Sequence, residues 1–213
     1  MNPPRPRGRP RTFDEDRMLD ALLDTFWTKG FGGASLDDLA EAAGVKRQSL
    51  YLAFGDKETM YLKAMARFAG WLEAAFVQAF APGRPLAEGL RAFYLKSLEF
   101  YLSGDAGPRG CFVLCTAPVE APSTPAVRAA LATLLGRIDA GFERRFGAAA
   151  AAGEIAAAAS PSTLAKLAAA ALHSLAIRAR AGADRAALEA FVAEAVATLA
   201  PPCAPSPPGP PPR

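Results

Sequence analysis

The helical spacing of apolar residues constrains this chain more than any other feature of its sequence. From residue 13 to residue 199, apolar side chains recur every three or four positions, which is the period of a half-buried α-helix. Glycine, proline and short polar segments interrupt this pattern, and no segment shows the two-residue alternation of a strand. The sequence therefore predicts an all-α protein of about nine helices.

Capping residues and helix breakers set the predicted helix ends. Ser35 and Asp56 are good N-caps, and Ser160 followed by Pro161 combines an N-cap with a proline in the first turn. Gly44 and Gly55 close two short predicted helices, residues 36–43 and 46–54. The predicted segments cover residues 13–30, 36–43, 46–54, 57–80, 86–102, 111–117, 125–152, 161–181 and 185–199.

The two ends of the chain have a different composition from the rest. Residues 1–12 are rich in proline, glycine and arginine, and residues 201–213 are mainly proline. Such segments bury little apolar surface, so both are predicted to be disordered. Between them the sequence predicts a small helical domain over residues 13–56 and a larger one over residues 57–200.

Composition indicates the compartment. No stretch approaches the roughly 20 apolar residues of a membrane-spanning helix, and the arginine-rich start lacks the apolar segment of a secretory signal. Three cysteines without framework spacing are typical of a reducing environment. These features predict a cytoplasmic protein.

The segment VKRQSLYLAFGDKE, residues 45–58, carries the clearest chemical signal. Leu50 and Phe54 are four residues apart and predict a buried face, with Gln48 and Leu52 on the opposite side. Arginine reads guanine, glutamine reads adenine, and apolar groups contact thymine methyls in a major groove. Together with the preceding short helix and its glycine turn, the segment predicts a helix-turn-helix, although a three-helix core with merely solvated polar residues has the same pattern.

The wider segment ASLDDLAEAAGVKRQSLYLAFGDKETM, residues 34–60, resembles the DNA-binding region of the tetracycline-repressor-like (TetR) family of bacterial transcriptional regulators. The likeness lies in A-G-V, L-Y, F and D-K-E at the family's spacing, within residues 13–62. It implies a ligand-responsive regulator, by default a repressor, that binds a pseudo-palindromic duplex operator at the nucleoid. The implied DNA-contacting residues are Lys46, Arg47, Gln48, Ser49, Tyr51 and Leu52, with Ser35 and Lys57 near phosphates.

Two positions depart from the family pattern. Lys46 replaces a frequent serine or threonine cap, and Ala53 replaces a frequent histidine or tyrosine that contacts phosphate. These departures affect the operator and the backbone contacts. The arginine arm, residues 1–12, is either a solubilising tail or a segment that reaches an adjacent minor groove.

The same resemblance implies a small-molecule effector pocket in helices four to seven and a homodimer formed by the two C-terminal helices. The alanine-rich C-terminal helices permit close packing, either between two chains or inside one monomer. Candidate pocket residues are Trp71, Phe93, Phe100, Tyr101, Cys111, Phe112, Cys115, Phe142 and His173, each of which is also a plausible core residue. The aromatic members predict a mostly apolar or aromatic effector.

Other classes of function have less support. Cys111 and Cys115 lie one helical turn apart near Arg109, so a thiolate of lowered pKa that senses oxidants or electrophiles is an alternative to the apolar effector. Three possible ligands without recognised spacing do not predict a metal site, and no cofactor is predicted. No catalytic constellation or phosphate-binding loop supports an enzyme, and the net charge of +3 is too small for a DNA-compacting protein.

Overall fold

The computed structural model describes residues 14–104, 107–156 and 159–201, and the secondary structure of this part is entirely α-helical. The predicted all-α fold of about nine helices is therefore confirmed. The predicted arm and the proline-rich tail with Cys203 lie outside the described residues. The helices are α1 Glu15–Gly33, α2 Leu36–Ala42, α3 Arg47–Phe54, α4 Lys57–Ala79, α5 Leu86–Leu102, α6 Phe112–Glu120, α7 Pro125–Ala151, α8 Pro161–Arg180 and α9 Arg185–Leu199.

Two helices end later than the sequence predicted. Helix α1 continues past Gly30, whose positive φ of 72° makes a kink, and the backbone N–H of Ala34 then donates to the Gly30 carbonyl. Helix α6 reaches Glu120 with Pro118 in its last turn. A local sequence pattern does not show whether a glycine ends a helix or only bends it.

The chain forms two compact units that divide between Ala64 and Met65, inside α4. The sequence places the boundary between Asp56 and Lys57, where the same helix begins. Of the described residues, none belongs to a helix that is long and apolar enough to cross a membrane.

The first unit has a small, fully buried core. Leu22 and Phe26 of α1, Leu39 of α2 and Leu50 of α3 are inaccessible to solvent. Tyr61 of α4 packs edge-on against the Phe26 ring, with ring centroids 5.2 Å apart. Burying a side chain of this size contributes about 1.5 to 3 kcal/mol, so this core stabilises the packing of α2 against α1 and of α3 against α2.

A Schellman turn joins α2 to α3. Gly44 has a φ of 66°, which glycine adopts without strain. The N–H of Val45 donates to the Ala40 carbonyl, and the N–H of Gly44 donates to the Glu41 carbonyl. This turn and the burial of Leu39 in α2 and Leu50 in α3 fix the position of α3 relative to α2.

The second unit is organised around an aromatic cluster. Phe76 of α4 contacts Phe93 of α5 and Phe142 of α7, with ring centroids 5.1 and 5.4 Å apart. The buried Tyr94 hydroxyl of α5 donates to the Ala168 carbonyl of α8 at 3.0 Å, and burial raises the pKa of Tyr94. Helix α8 packs against α7 and α5, and α9 packs against α5 and α8.

Candidate nucleic-acid interface and effector cavities

Helix α3 has a buried face and an exposed face. Leu50 and Phe54 are buried, whereas 82% of Leu52 and 45% of Tyr51 are exposed. Gln48 is also exposed. The orientation expected from the helical spacing is therefore present, and the outer face combines polar and apolar groups. Ser49 is half-buried, and Lys46 is exposed just before the helix.

Arg47 forms an ion pair that the sequence analysis did not predict. Its Nε and Nη2 atoms both donate to the carboxylate of Asp37, in the first turn of α2. The side chains are 54% and 73% exposed, respectively. The hydrogen bonds from Arg47 to Asp37 raise the pKa of the guanidinium group. Arg47, the first residue of α3, is thus held against the first turn of α2 by an exposed ion pair.

A capping box begins α2. The Ser35 hydroxyl accepts from the Asp38 N–H at 3.1 Å, and the Asp38 carboxylate accepts from the Ser35 N–H at 2.8 Å. Lys29 of α1 donates to the other oxygen of that carboxylate at 2.6 Å. The hydrogen bond from Lys29, followed by those from Ser35, holds the pKa of Asp38 far below its ordinary value.

At the start of α4, as at the start of α2, an aspartate carboxylate accepts a backbone hydrogen bond. The Asp56 carboxylate accepts from the Thr59 N–H at 2.8 Å and from the Thr59 hydroxyl at 2.7 Å, which lowers the pKa of Asp56. The Lys57 ammonium lies 4.7 Å from the centre of the Phe31 ring. This cation–π contact holds the ammonium group of Lys57, the first residue of α4, over the Phe31 ring.

A groove of about 260 Å³ in the second unit contains residues of α4, α5 and α7. Its inner surface is apolar, and its polar side chains are Glu73, Arg137 and Arg144. Arg137 is paired with Glu73 at 2.5 Å, whereas Arg144 has no ion-pair partner within the described ranges. Phe93 is the only sequence-predicted effector candidate in this lining, which is Ala69, Leu72, Glu73, Phe76, Val77, Phe93, Leu134, Arg137, Ile138, Ala140, Gly141 and Arg144.

The other effector candidates are dispersed. Trp71 and Phe100 stack at 6.2 Å in an open hollow of about 300 Å³. Tyr101, Cys111 and His173 line a cavity of about 10 Å³, which is too small for more than a single water. The remaining candidates line none of these three spaces: Phe112, Cys115 and Phe142.

Three polar groups near the small cavity have no hydrogen-bond partner among the described residues. They are the Ser97 hydroxyl, the Tyr101 hydroxyl and Nε2 of His173. Ser97 lies close enough to influence the ionisation of Tyr101, but the two hydroxyls do not meet the geometry of a hydrogen bond. Burial raises the pKa of Tyr101, and burial lowers the pKa of His173 against the opposing charge of Asp139.

The lowered thiol pKa expected at Cys111 is wrong. Cys111 is buried, and this burial raises its pKa to about 12. Arg109 donates from Nε to the Ser103 carbonyl at 3.0 Å, and the pKa of Cys111 shows no effect of that cation. Burial also raises the pKa of Cys115, although Arg180 opposes the shift. No group of three potential metal ligands occurs in the described part of the chain.

Two family models together match most of this chain. Residues 18–64 match the family model for bacterial regulatory proteins of the tetR family, and residues 87–195 match that for the tetracyclin repressor-like C-terminal domain. The chain belongs to the TetR family. Membership confirms the prediction of a transcriptional regulator and places this TetR-family chain in a class that is not enzymatic.

Curated TetR-family relatives match over part of their length. The transcriptional repressor ComR of Escherichia coli strain K12 is 34% identical over 113 residues, which are 52% of this chain and 53% of ComR. The repressor BdcR of the same strain is 29% identical over 107 residues, 50% of this chain and 54% of BdcR. The chain thus spans about half the length of these curated relatives.

Two solved structures are similar over most of their length. A cysteine variant of the regulator CifR, in complex with 26-bp operator DNA, superimposes with a TM-score of 0.80 at 33% identity, covering 89% of this chain and 98% of CifR. Reduced NemR of E. coli superimposes with a TM-score of 0.76 over 89% of this chain and 98% of NemR. At 18% identity, NemR shows the fold alone.

Proposed function

We propose that this TetR-family protein is a repressor that binds a specific duplex operator through α3 and is released by a small-molecule effector. The outer face of α3 carries the proposal, because Leu50 and Phe54 anchor the helix and leave Leu52 almost fully exposed. An exposed leucine beside polar groups suits a surface that contacts thymine methyls. The operator-bound CifR structure, at 33% identity, supports this proposal.

The proposed contacts divide into base reading and phosphate binding. Arg47, Gln48, Tyr51 and Leu52 read base edges, with the half-buried Ser49 at the side of that face. Lys46 and Lys57 bind phosphates through their charges, and Ser35 lies near a phosphate at the start of α2. The arginine arm, residues 1–12, adds salt-dependent affinity by following the adjacent minor groove.

We also propose that the operator is bound by a homodimer formed through α8 and α9. A stripe at three- and four-residue spacing runs along α8: Thr163, Leu167, Ala170 and Ile177 are exposed, and Ser174, between the last two, is half-buried. Helix α9 has a matching stripe of small residues: Ala186, Ala190, Ala193 and Ala197. Small residues allow helices to approach closely, and two equal recognition helices would match the two halves of a pseudo-palindrome.

We assign the effector to the groove of α4, α5 and α7. An apolar interior with the aromatic rings of Phe76 and Phe93 favours a flat apolar or aromatic molecule. Arg144, which has no ion-pair partner in the described ranges, favours an anionic group on that molecule. A volume of about 260 Å³ suits a molecule of one or two rings.

Release then follows from unequal affinity of the effector for two states of the protein. Helix α4 contributes Leu72 and Phe76 to the groove and begins at Lys57, a proposed phosphate contact. A displacement of α4 on effector binding therefore affects the DNA-binding residues. The protein would act in the cytoplasm, at the nucleoid.

The proposal is tested by identifying the DNA that the protein retains. Genomic fragments from the source organism are captured on the purified full chain at physiological salt, sequenced and footprinted. We expect enrichment of a pseudo-palindromic site, with protection spaced by about one helical turn. Uniform retention of all fragments, or equal affinity for a random duplex, would overturn the proposed operator reading.

A further inference from the structure

The ion pair between Asp37 and Arg47 connects the two helices of the helix-turn-helix. Asp37 belongs to the first turn of α2, and Arg47 is the first residue of α3. Both side chains are more than half exposed, so the pair lies on the surface and not in the core. An exposed ion pair adds little stability, so stabilising the fold does not account for this pair.

The atoms used by the pair define what Arg47 can still bind. A guanidinium group has five N–H donors: one on Nε and two on each Nη atom. Asp37 accepts from Nε and from Nη2, so both N–H groups of Nη1 and the second of Nη2 remain. One remaining donor on each Nη atom forms the outer fork of the group. That fork fits the N7 and O6 acceptors of guanine in the major groove.

The backbone beneath the pair is also fixed. The Schellman turn at Gly44 and the buried Leu39 and Leu50 set the separation of α2 and α3 before any DNA is bound. Because the arginine side chain is long and flexible, holding it before binding reduces the ordering that recognition requires. The carboxylate also repels DNA phosphates, which weakens complexes in which Arg47 finds no guanine.

We propose that Asp37 is a specificity-determining residue, which orients Arg47 so that its outer fork binds a guanine of the operator. This inference rests on the proposed operator binding by α3. It adds a residue of α2 to the reading surface and specifies the base that Arg47 reads. Asp37 itself makes no direct base contact in this arrangement.

The experiment uses the full chain and the operator fragment identified by footprinting. Each base pair of one half-site is replaced in turn, and binding by the unsubstituted protein is compared with binding by Arg47→Ala. The base pair whose replacement weakens binding by the unsubstituted protein but not by Arg47→Ala is the one that Arg47 reads. Dissociation constants are then measured at one salt concentration for the operator, the operator changed at that pair, and a random duplex. The variants are Asp37→Asn, Arg47→Lys and the double variant. Asp139→Asn is the matched control, because Asp139 is an exposed acidic residue of α7.

We expect Asp37→Asn to reduce discrimination at that base pair by about tenfold, within the range of one bidentate contact. Binding to the random duplex should stay the same or become tighter, because a negative charge is removed. Arg47→Lys should lose the same discrimination, since lysine lacks the fork, and adding Asp37→Asn to it should have no further effect on discrimination. Asp139→Asn should match the unsubstituted protein.

Other outcomes separate the possible failures. Tighter operator binding by Asp37→Asn with unchanged discrimination would mean that Asp37 sequesters Arg47, and would overturn the inference. An equal change on all three duplexes would reduce Asp37 to a general charge effect and would overturn it too. If the unsubstituted protein shows no preference for any duplex, the proposed operator reading fails first. Thermal melts of each variant confirm that the fold is retained.

Discussion

The ammonium group of Lys29 in α1 lies 2.6 Å from a carboxylate oxygen of Asp38 in α2. The same carboxylate accepts from the backbone N–H of Ser35, so one acidic group both joins two helices and caps the second. Because all of these partners favour the ionised form, the pKa of Asp38 lies below its ordinary value.

Asp38→Asn should therefore destabilise the protein in a pH-dependent way. A lowered folded-state pKa means that the ionised carboxylate adds stability above its ordinary pKa of 3.8, and that this stability is lost as the pH falls toward the folded-state value. We expect a lower melting temperature for the variant at neutral pH and a difference that narrows below about pH 4. Circular dichroism melts of both proteins across this range measure it. Lys29→Ala, which removes the largest cause of the shift, should show the same trend.

Gln48→Ala should weaken operator binding by about 1 to 3 kcal/mol and leave random-duplex binding nearly unchanged, because a glutamine that pairs with adenine reads sequence. Fluorescence anisotropy with both duplexes measures the effect. The chain offers a matched control in Gln78→Ala, since Gln78 is an exposed glutamine in the second unit. Equal losses on both duplexes would contradict base reading by this residue.

Ile177→Glu should convert the proposed dimer to monomers. Ile177 is 59% exposed in the single chain and lies in the α8 stripe, and a symmetric interface would bury two copies of the new charge. Sedimentation velocity measures the mass, and operator titration should show weaker binding. Val119→Glu is the control, because Val119 of α6 is 76% exposed and lies outside both stripes. A monomeric unsubstituted protein that still binds its operator tightly would contradict the dimer.

The groove of α4, α5 and α7 should bind anionic aromatic molecules. Naphthalene-2-sulfonate, which has two fused aromatic rings and one negative charge, serves as the probe and is followed by its fluorescence. Ala140→Trp should abolish the saturable signal by filling the groove. Arg144→Ala should weaken binding about tenfold, because it removes a cation that has no ion-pair partner among the described residues. Arg185→Ala, which removes an exposed arginine of α9, is the charge control. Unchanged binding by both groove variants would place the probe elsewhere.

Cys111 should react slowly with iodoacetamide at neutral pH. Burial excludes the reagent and raises the thiol pKa to about 12, so little thiolate forms. Cys115, which is only half-buried, should be alkylated first. Peptide mass spectrometry of a Cys203→Ser variant follows the two sites separately. Rapid modification of Cys111 in the folded protein would instead support the alternative in which that thiol senses electrophiles.

The sequence predicted the helices well because their limits are locally determined. Ser35, Pro161 and Gly44 each act on the backbone within a few residues of their own positions. The buried face of α3 was likewise predictable, since Leu50 and Phe54 need only helical periodicity to share a side. The ends of α1 and α6 were the exceptions, because α1 resumes after the kink at Gly30 and α6 continues to Glu120.

The site was less predictable where it depends on distant parts of the chain. The partnership of Asp37 with Arg47 depends on the angle between two helices, and the sequence did not identify Asp37. Phe76 and Arg144 were also missed, because only the packing of α4 against α7 makes them part of one groove. The pKa of Cys111 is raised and not lowered because the thiol is buried, which its closeness to Arg109 in the sequence did not indicate.

The glycine turn between α2 and α3 makes operator specificity an exchangeable property. Gly44 and the packed Leu50 and Phe54 hold α3 in place, whereas the side chains of Gln48, Tyr51 and Leu52 belong to its exposed face. New outward residues can therefore be grafted onto the helix without redesigning its support. If Asp37 acts as proposed, a graft that replaces Arg47 must also replace Asp37. The smallest segment that transfers operator specificity then includes residues from both helices.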